Sequence, residues 1–260
     1  MNSDTPERHL RVSGCPNFRD AGGYATDTGT VAWRRIFRSG HLASLTSNEQ
    51  HRLGRLDIEL IVDLRRADER AQEEGVLSGA KVITAEITPG SAASAVYTDS
   101  NRITDATEMR AFMCDINRQF VVSQSEVFAA VFRSLVASDA RSVLFHCSAG
   151  KDRTGFAIAL LHAILGVEKN DLEADYMLSS QYFVPEHQIA RIRRKYPVSH
   201  LDDASLHPML ETDPTYLQTA FSAIESEFGG FTRYVRDALL LTEEDCQVLK
   251  DRFVMEFGDT

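Results

Sequence analysis

The stretch SVLFHCSAGKDRTGFAIALL (residues 142–161) decides how the rest of this 260-residue chain is interpreted. Apolar residues lead into His146 and Cys147, five residues separate Cys147 from Arg153, and a second apolar run follows over a length that suits a helix. A strand, a turn and a helix in this order direct several backbone N–H groups and the positive end of a helix dipole into one loop. The pattern predicts a phosphate-binding loop that carries a cysteine nucleophile.

The residue types inside the loop suit this chemistry. Gly150 lets the backbone curl, and Arg153 at the end of the loop has the fork of donors that grips two phosphate oxygens. The same positive field favours the thiolate of Cys147, which is the nucleophilic form of cysteine. The Thr154 hydroxyl is placed to donate to the sulfur, and His146 to order the loop by hydrogen bonding. The residues predicted to bind substrate around the nucleophile are Ser148, Ala149, Gly150, Lys151, Thr154 and His146.

A nucleotide-binding loop is an alternative, because the chain contains the pair Gly150-Lys151. That loop needs the pattern GxxxxGK[ST]. Here Asp152 follows the lysine, and no glycine precedes Gly150 by five residues. The nucleotide-binding pattern is therefore absent.

The composition is that of a soluble globular protein, with 43% hydrophobic residues, 25% charged residues and a formal net charge of -10. This charge argues against a diffuse nucleic-acid-binding surface, so we expect no nucleic acid partner. The four cysteines lack the spacing of a metal site, and Cys114 and Cys246 are predicted to be small core or boundary residues. Scattered reduced cysteines are typical of a reducing compartment, so we expect a cytoplasmic protein without a metal site.

We expect no integral membrane segment. The N-terminal residues MNSDTPERHL lack the apolar run of a signal peptide. The longest apolar run, residues 156–167, is shorter than the roughly 20 residues that a membrane-spanning helix needs. Export by a route that needs no N-terminal signal peptide stays open.

Strand and helix patterns alternate as far as about residue 165, which predicts an α/β fold with a mostly parallel sheet. Predicted strands cover residues 10–14, 31–38 (an edge strand), 58–64 and 81–87 (both buried) and 142–146. Predicted helices cover residues 46–56, 67–74, 105–120, 123–135, 154–165, 171–181, 185–196, 213–228, 231–239 and the segment from Thr242 onward. Residues 17–30 suit turns around short extended pieces, and residues 89–101 suit an exposed loop.

Two polar groups stand at the carboxyl ends of predicted strands. Asp63-Leu64-Arg65 ends one buried strand, and His146-Cys147 ends another. Sites in parallel sheets form at this edge. We therefore expect both groups on one rim of the sheet.

The run HCSAGKDRTG resembles HCxxGxxR[ST]G, the active-site signature of cysteine-dependent protein tyrosine phosphatases. Together with NFRDAGGY (residues 17–24) and the DLR at residues 63–65, it is similar to the bacterial tyrosine/lipid phosphatase branch, which includes secreted virulence phosphatases of mycobacteria and Listeria. The resemblance covers about residues 17–253. It implies a tyrosine-phosphatase-like central, mostly parallel sheet flanked by helices, in a single domain over residues 1–260. A core at about 10–165 and 229–255 would carry a helical lid or cap at about 166–228.

The resemblance also implies a chemistry without a metal or other cofactor. Cys147 would attack phosphorus and form a phosphocysteine, and the amides of residues 148–153 with the Arg153 guanidinium would hold the equatorial oxygens. The substrates would be phosphotyrosine proteins and phosphoinositides, because phosphoinositide 3-phosphatases have a lysine at the position of Lys151. An inositol polyphosphate phosphatase and a phosphate-reading module without turnover remain as alternatives. The oligomeric state stays open.

The general acid is the open point of this mechanism. Many tyrosine phosphatases take it from a Trp-Pro-Asp loop, but Trp33 of this chain is followed by Arg34. Asp152 inside the loop is the first candidate, since the related branch has an aspartate there. Asp63 is the second, and its alternative role is a structural cap or an ion pair with Arg153.

Three further features have both a structural and a functional interpretation. The basic run at residues 191–195 suits a solvated helix face or a surface that attracts acidic substrates. Tyr182, Phe183 and Ile189 suit ordinary core or an apolar lid face. Arg19 and Asp20 suit a brace between the sheet and the loop.

Overall fold

The central sheet has five strands in the order β1-β3-β6-β4-β5. The computed structural model describes residues 6–75, 77–88, 103–183, 188–195 and 198–258. The strands are β1 Arg19–Asp20, β3 Ile36–Ser39, β4 Leu60–Asp63, β5 Lys81–Thr84 and β6 Val143–His146, and β2 Gly29–Val31 pairs separately with β7 Val254–Glu256. The pairs β3-β6, β4-β6 and β4-β5 are parallel and only β1-β3 is antiparallel, which confirms the predicted mostly parallel sheet.

The three inner strands are buried on both faces, because their side chains alternate between two apolar clusters. On β6, Val143 and Phe145 belong to the larger cluster, and Leu144 belongs to the smaller one. Most helices contribute to the larger cluster, while α1 covers the other face through Leu53. The helices are α1 Ser47–Gly54, α2 Ala67–Gln72, α3 Ala106–Val122, α4 Ser125–Ala137, α5 Asp152–Leu165, α6 Lys169–Met177, α7 Ser179–Tyr182, α8 Ile189–Lys195, α9 Asp203–Leu210, α10 Pro214–Phe228, α11 Phe231–Asp237 and α12 Glu243–Phe253.

The register of the parallel strands sets the active rim. Both Ser39 and Asp63 are aligned with His146, so the carboxyl ends of β3, β4 and β6 lie side by side. The expectation that Asp63 and His146 share one rim is therefore confirmed. The loop after β6 begins at this rim.

Local capping signals located most helix starts correctly. The side chains of Thr46, Asp105, Asp213 and Thr242 each accept a backbone N–H from the first turn of the helix that follows. The predicted capping box of Ser123 and Glu126 is wrong, because Ser123 follows the end of α3 and its hydroxyl donates to the Gln119 side chain.

Several predicted strands differ from the structure. Residues 10–14 make only isolated bridges. Residues 31–38 do not form one edge strand, because a turn with Arg34 at φ 63° divides them and β3 lies inside the sheet. The predicted buried strand at 81–87 is shorter and lies at the sheet edge, where Val82 is 44% exposed. Three predicted features lie outside the described residues, namely the loop at 89–101, Pro185 and Pro197. The helix α9 and the strand β7 were not predicted.

The described residues between 166 and 228 pack on other parts of the described chain. Helices α9 and α10 both lie against α3, and α6 lies against α5. The division into a core and a lid stays a prediction. Among the described residues, no one helix has both the length and the apolar character of a membrane span; α3 and α4 pass such a test only as a pair bent by 58°.

A buried ion triad joins the sheet to this helical region. Arg38 on β3 donates to Asp175 on α6 at 2.6 Å, and the Nε of Arg19 on β1 lies 3.5 Å from the same carboxylate. All three side chains are almost fully excluded from water. Burial alone would raise the pKa of Asp175, but the two guanidinium groups outweigh it and hold that pKa well below its usual range. Asp175 is therefore ionised in the folded protein.

We expect Asp175→Asn to destabilise the fold strongly. Removing one partner of a buried ion pair leaves uncompensated buried charge, which costs about 3–5 kcal/mol. Urea unfolding of the full chain measures this loss. The matched control is Asp237→Asn, whose ion pair with Arg236 is half exposed and is worth less than about 1 kcal/mol. Equal, small losses in both variants would contradict the structural role of the triad.

Candidate active site

Residues 147–153, called the phosphate loop below, connect β6 to α5. Gly150 has φ 69°, in the left-handed region that favours glycine. A Cβ at Gly150 would also overlap the backbone of Ser39, the last residue of β3. The glycine is thus required twice, by the turn of the loop and by its close approach to the neighbouring strand.

The loop is held from beneath by side chains of the sheet. The carbonyl of Gly150 accepts hydrogen bonds from Asn17 Nδ2 at 2.7 Å and from Arg38 at 2.9 Å. Arg38 also donates to the Lys151 carbonyl at 3.3 Å. Because Arg38 is the arginine held by Asp175, the ion triad and the phosphate loop form one connected network. The carbonyls of Gly150 and Lys151 therefore point toward this network, so the opposite side of the loop is available to its N–H groups.

Cys147 begins the loop and is 3% exposed. The N–H of Gly150 donates to its Sγ at 3.2 Å, and α5 starts at Asp152. A backbone N–H and the start of a helix both stabilise a thiolate. Thr154, in the first turn of α5, is buried, and its Oγ1 has no hydrogen-bond partner within the described part of the chain. Its hydroxyl therefore keeps a donor for another group at the site.

Glu69 on α2 positions Arg153. Its carboxylate accepts hydrogen bonds from both terminal nitrogens of Arg153, at 2.6 and 3.0 Å, and from the Ser148 hydroxyl, at 2.7 Å. The Glu69 side chain is 0% exposed, whereas Arg153 is 13% exposed. A charge-assisted fork of this kind fixes the plane of the guanidinium. The last residue of the loop is therefore oriented before any ligand arrives.

Asp63 pairs with Arg65 and not with Arg153, an ion pair that was one of its alternative roles. Both its oxygens accept from Arg65, at 2.9 and 2.7 Å, and His146 Nε2 lies 3.6 Å away. Burial would raise the pKa of Asp63, yet the hydrogen bonds from Arg65 hold it below its usual range. Burial lowers the pKa of His146 to about 4. This rim cluster orders the start of the loop, and the predicted ion pair of Asp63 with Arg153 is replaced by the pair with Glu69.

Lys151 and Asp152 are adjacent but face different surroundings. The Lys151 ammonium donates to the carbonyls of Met209 at 2.9 Å and Glu211 at 2.5 Å, and its side chain is 2% exposed. The expected second cation for a substrate phosphate is thus turned toward the end of α9. Asp152 is 21% exposed, lies 3.4 Å from the Lys151 ammonium and accepts from the Tyr176 hydroxyl at 3.4 Å.

One pocket collects most of the predicted site residues. Its floor includes Cys147, Ser148, Ala149, Lys151, Asp152 and Arg153. An apolar wall from α3, α8, α9 and the end of α7 rises beside it, formed by Met113, Ile116, Phe120, Phe183, Ile192, Met209 and Leu210. Four other predicted site residues do not line the pocket, namely Gly150, His146, Thr154 and Asp63. The pocket is therefore lined by the polar phosphate loop on one side and by apolar helix residues on another.

Two arginines line the same pocket. Arg191 on α8 pairs with Glu73 at 2.6 Å, and Arg66 pairs with Asp68 at 2.8 Å. Arg193 instead pairs with Asp203, away from the lining residues. Two described residues of the predicted basic run, Arg191 and Ile192, therefore line the pocket.

The three residues interpreted as an apolar lid face have three surroundings. Phe183 is buried and lines the pocket, Ile189 packs against the main core, and Tyr182 stacks on His9 with 4.0 Å between ring centroids. In the described ranges of the chain, no group of three or more His, Cys, Asp or Glu side chains could hold a metal ion.

Sequence analysis missed Glu69 and Asp175. Both act through partners more than 80 positions away along the chain, namely Arg153, Arg19 and Arg38. A local signal for Glu69 did exist, because it stands three residues after Arg66 and accepts the Arg66 backbone N–H at 2.9 Å. Arg19 connects the sheet to the loop as expected, through Asn17 and Asp175. The Asp20 carboxylate instead accepts the backbone N–H groups of Gly22 and Arg34, which lie outside the phosphate loop.

We expect Gly150→Ala to distort the phosphate loop. The positive φ alone costs an alanine about 1–2 kcal/mol, and the overlap with Ser39 adds to it. We expect inorganic phosphate to raise the Tm of the wild type. The variant should unfold at lower urea concentration and lose this rise in Tm. In the control Gly54→Ala, a Cβ meets nothing within 4 Å, so stability and the phosphate effect should persist. A phosphate effect that survives in Gly150→Ala would refute the required loop shape.

Comparison with known proteins gives matches over most of the chain. The tyrosine phosphatase family matches residues 10–255. A Cupriavidus necator protein named as a candidate tyrosine-protein phosphatase is 36% identical over 226 residues, which cover 86% of this chain and 81% of the relative. The triple specificity protein phosphatase PtpB of Mycobacterium tuberculosis is 27% identical over 87% of this chain and 92% of its own length. The solved structure of P. aeruginosa TpbA has 18% identity, covers 76% of this chain and 97% of that one, and has a TM-score of 0.33.

The family match includes the phosphate loop, the DLR rim and the residues of the ion triad. The resemblance first noted in the loop therefore extends over nearly the whole sequence. This chain belongs to the tyrosine phosphatase family of hydrolases.

Proposed function

We propose that this protein hydrolyses phosphotyrosine in proteins through a phosphocysteine formed on Cys147. The observation that supports this most is the loop geometry: the Gly150 N–H points at Cys147 Sγ from 3.2 Å, and Glu69 orients Arg153 at the other end of the same loop. A sulfur nucleophile, inward N–H groups and a fork of N–H donors are the parts that attack on a phosphate monoester needs.

In the first step, the Cys147 thiolate attacks phosphorus in line with the leaving oxygen. The S–P bond forms, the bond from phosphorus to the tyrosine oxygen breaks, and the leaving oxygen takes a proton from Asp152. The loop N–H groups and Arg153 hold the three equatorial oxygens, where negative charge is concentrated.

In the second step, water attacks the phosphorus of the phosphocysteine. The Asp152 carboxylate takes a proton from this water, the S–P bond breaks, and inorganic phosphate leaves with the thiolate restored. The buried Thr154 hydroxyl, which has no partner in the described segments, is available to donate to the departing sulfur. The net reaction consumes one water molecule and needs no redox partner.

The surroundings of the two carboxylates support Asp152 as the acid. Asp152 lines the pocket with Cys147 and is 21% exposed. Asp63 is buried, is absent from the pocket lining and has both oxygens on Arg65. A general acid must reach the leaving oxygen, and of these two carboxylates Asp152 is the one that lines the pocket.

The apolar wall supports an aromatic leaving group. Residues of α3 and α9, such as Ile116 and Met209, stand beside the polar floor. A phosphotyrosine ring extends far enough from its phosphate to contact such a wall, whereas phosphoserine has only a short stem. Burial of the ring against apolar side chains would add to its affinity.

A second candidate substrate is a phosphoinositide. The presence of Arg66 and Arg191 in the pocket lining favours it, because further phosphates on an inositol ring would meet these guanidinium groups. A panel of phosphotyrosine, phosphoserine and phosphothreonine peptides beside phosphoinositide vesicles separates the two candidates.

We expect Asp152→Asn to slow poor leaving groups selectively. Loss of the acid should lower kcat/KM, which reports the first step, by about 100-fold or more on phenyl and alkyl phosphates. It should lower kcat/KM far less on para-nitrophenyl phosphate, because that leaving oxygen needs little protonation. The comparison variant Asp63→Asn should lower Tm but keep the wild-type ratio of the two rates. Wild-type rates of Asp152→Asn on poor leaving groups would refute the assignment.

We expect the wild type to release a burst of para-nitrophenol equal to the enzyme concentration when mixed rapidly with para-nitrophenyl phosphate, provided that hydrolysis of the intermediate is the slow step. Acid quenching and mass spectrometry should then find one phosphate on the peptide that contains Cys147. The Cys147→Ser variant should show neither the burst nor the phosphorylated peptide. The control is Cys246→Ser, since Cys246 is a half-buried free cysteine outside the pocket lining, and this variant should show both results. Phosphate binding without any turnover would instead identify a phosphate-reading module.

A further inference from the structure

The Lys151 ammonium lies at the carboxyl end of α9, although Lys151 belongs to the phosphate loop. Met209 O and Glu211 O accept from Nζ at 2.9 and 2.5 Å. The last carbonyls of a helix have no partner inside the helix and carry a partial negative charge, so an ammonium is the group they bind best. Lys151 therefore satisfies the end of a helix that sequence analysis did not predict.

These contacts occupy the N–H donors of the Lys151 ammonium. An ammonium has three N–H donors, and Asp152 Oδ2 at 3.4 Å adds a third oxygen to the two carbonyls. The ring of Tyr216 on α10 lies 5.9 Å from Nζ, and the side chain as a whole is 2% exposed. In this arrangement the charge of Lys151 is directed to the protein and not to a bound phosphate.

The far side of this contact belongs to the wall of the pocket. Met209 and Leu210, the last residues of α9, both line the pocket. The Glu211 side chain pairs with Arg110 on α3, and the Tyr216 hydroxyl donates to the Pro208 carbonyl at 2.9 Å. The end of α9 is thus tied to α3 and α10 from behind and to the phosphate loop through Lys151.

We infer that Lys151 is a positioning residue that joins the phosphate loop to α9 and so sets the distance between the phosphate site and the apolar wall. It determines which leaving groups fit between floor and wall, and it does not contact the transferred phosphate. The inference rests on the proposed function for its kinetic consequence. Its structural part, the contact with α9, can be tested without any activity.

The first experiment compares Lys151→Met with the wild type by hydrogen–deuterium exchange. We expect exchange of the amides at residues 203–212 to rise about tenfold or more when the ammonium is lost. The KM for a phosphotyrosine peptide should rise about tenfold, whereas the Ki of inorganic phosphate should change by less than about threefold. The control Lys169→Met removes an exposed lysine on α6 and should change none of these values.

The second experiment uses the wild type, so it does not depend on the folding of a variant. Acetic anhydride labelling followed by mass spectrometry should find Lys151 protected to the same degree with and without inorganic phosphate. Protection that appears only with phosphate, or a Ki for phosphate that weakens about tenfold in Lys151→Met with unchanged exchange in α9, would overturn the inference. A wild type without phosphatase activity would contradict the proposed function, while labelling and exchange would still decide the role of Lys151.

Discussion

The buried carboxylate of Asp175 is the constraint on which the active site depends. It pairs with both Arg19 and Arg38, two side chains that are 0% exposed and whose buried charge would otherwise lack a counter-ion. Arg38 then has one end fixed on α6 and the other on the carbonyls of Gly150 and Lys151. The contacts that join α6 to the sheet therefore also hold the backbone of the phosphate loop.

Three carboxylates around the loop have three different surroundings, and these surroundings separate their roles. Asp175 lies beneath the loop and holds its backbone through Arg38. Glu69 lies beside it, fully buried, and holds the guanidinium of Arg153. Asp152 is partly exposed in the pocket, where a group that exchanges protons with substrate and water must be. A loop held in this way requires little reorganisation when charge develops on a bound phosphate.

Features that depend on residues close together in the chain could be predicted from the sequence. The loop motif, the rim formed by Asp63 and His146, and the helix caps at Asp105 and Thr242 depend on residues a few positions apart. Partnerships between distant segments leave no such local pattern, which is why Glu69 and Asp175 were missed. For the same reason the sequence could not decide between an ion pair of Asp63 with Arg153 and the other roles of Asp63. Helix α9 was overlooked for another reason: Pro208 stands inside it, and proline usually ends a helix. That omission also concealed the acceptors of Lys151.

The most direct test of a preformed loop is a pair of crystal structures of the wild type, one without ligand and one with orthovanadate bound at Cys147. We expect the backbone of residues 147–153 to superpose within about 1 Å between the two structures, with Gly150 O still accepting hydrogen bonds from Asn17 and Arg38. A loop that reorganises on binding, with Gly150 leaving its positive φ and its carbonyl releasing Arg38, would contradict it.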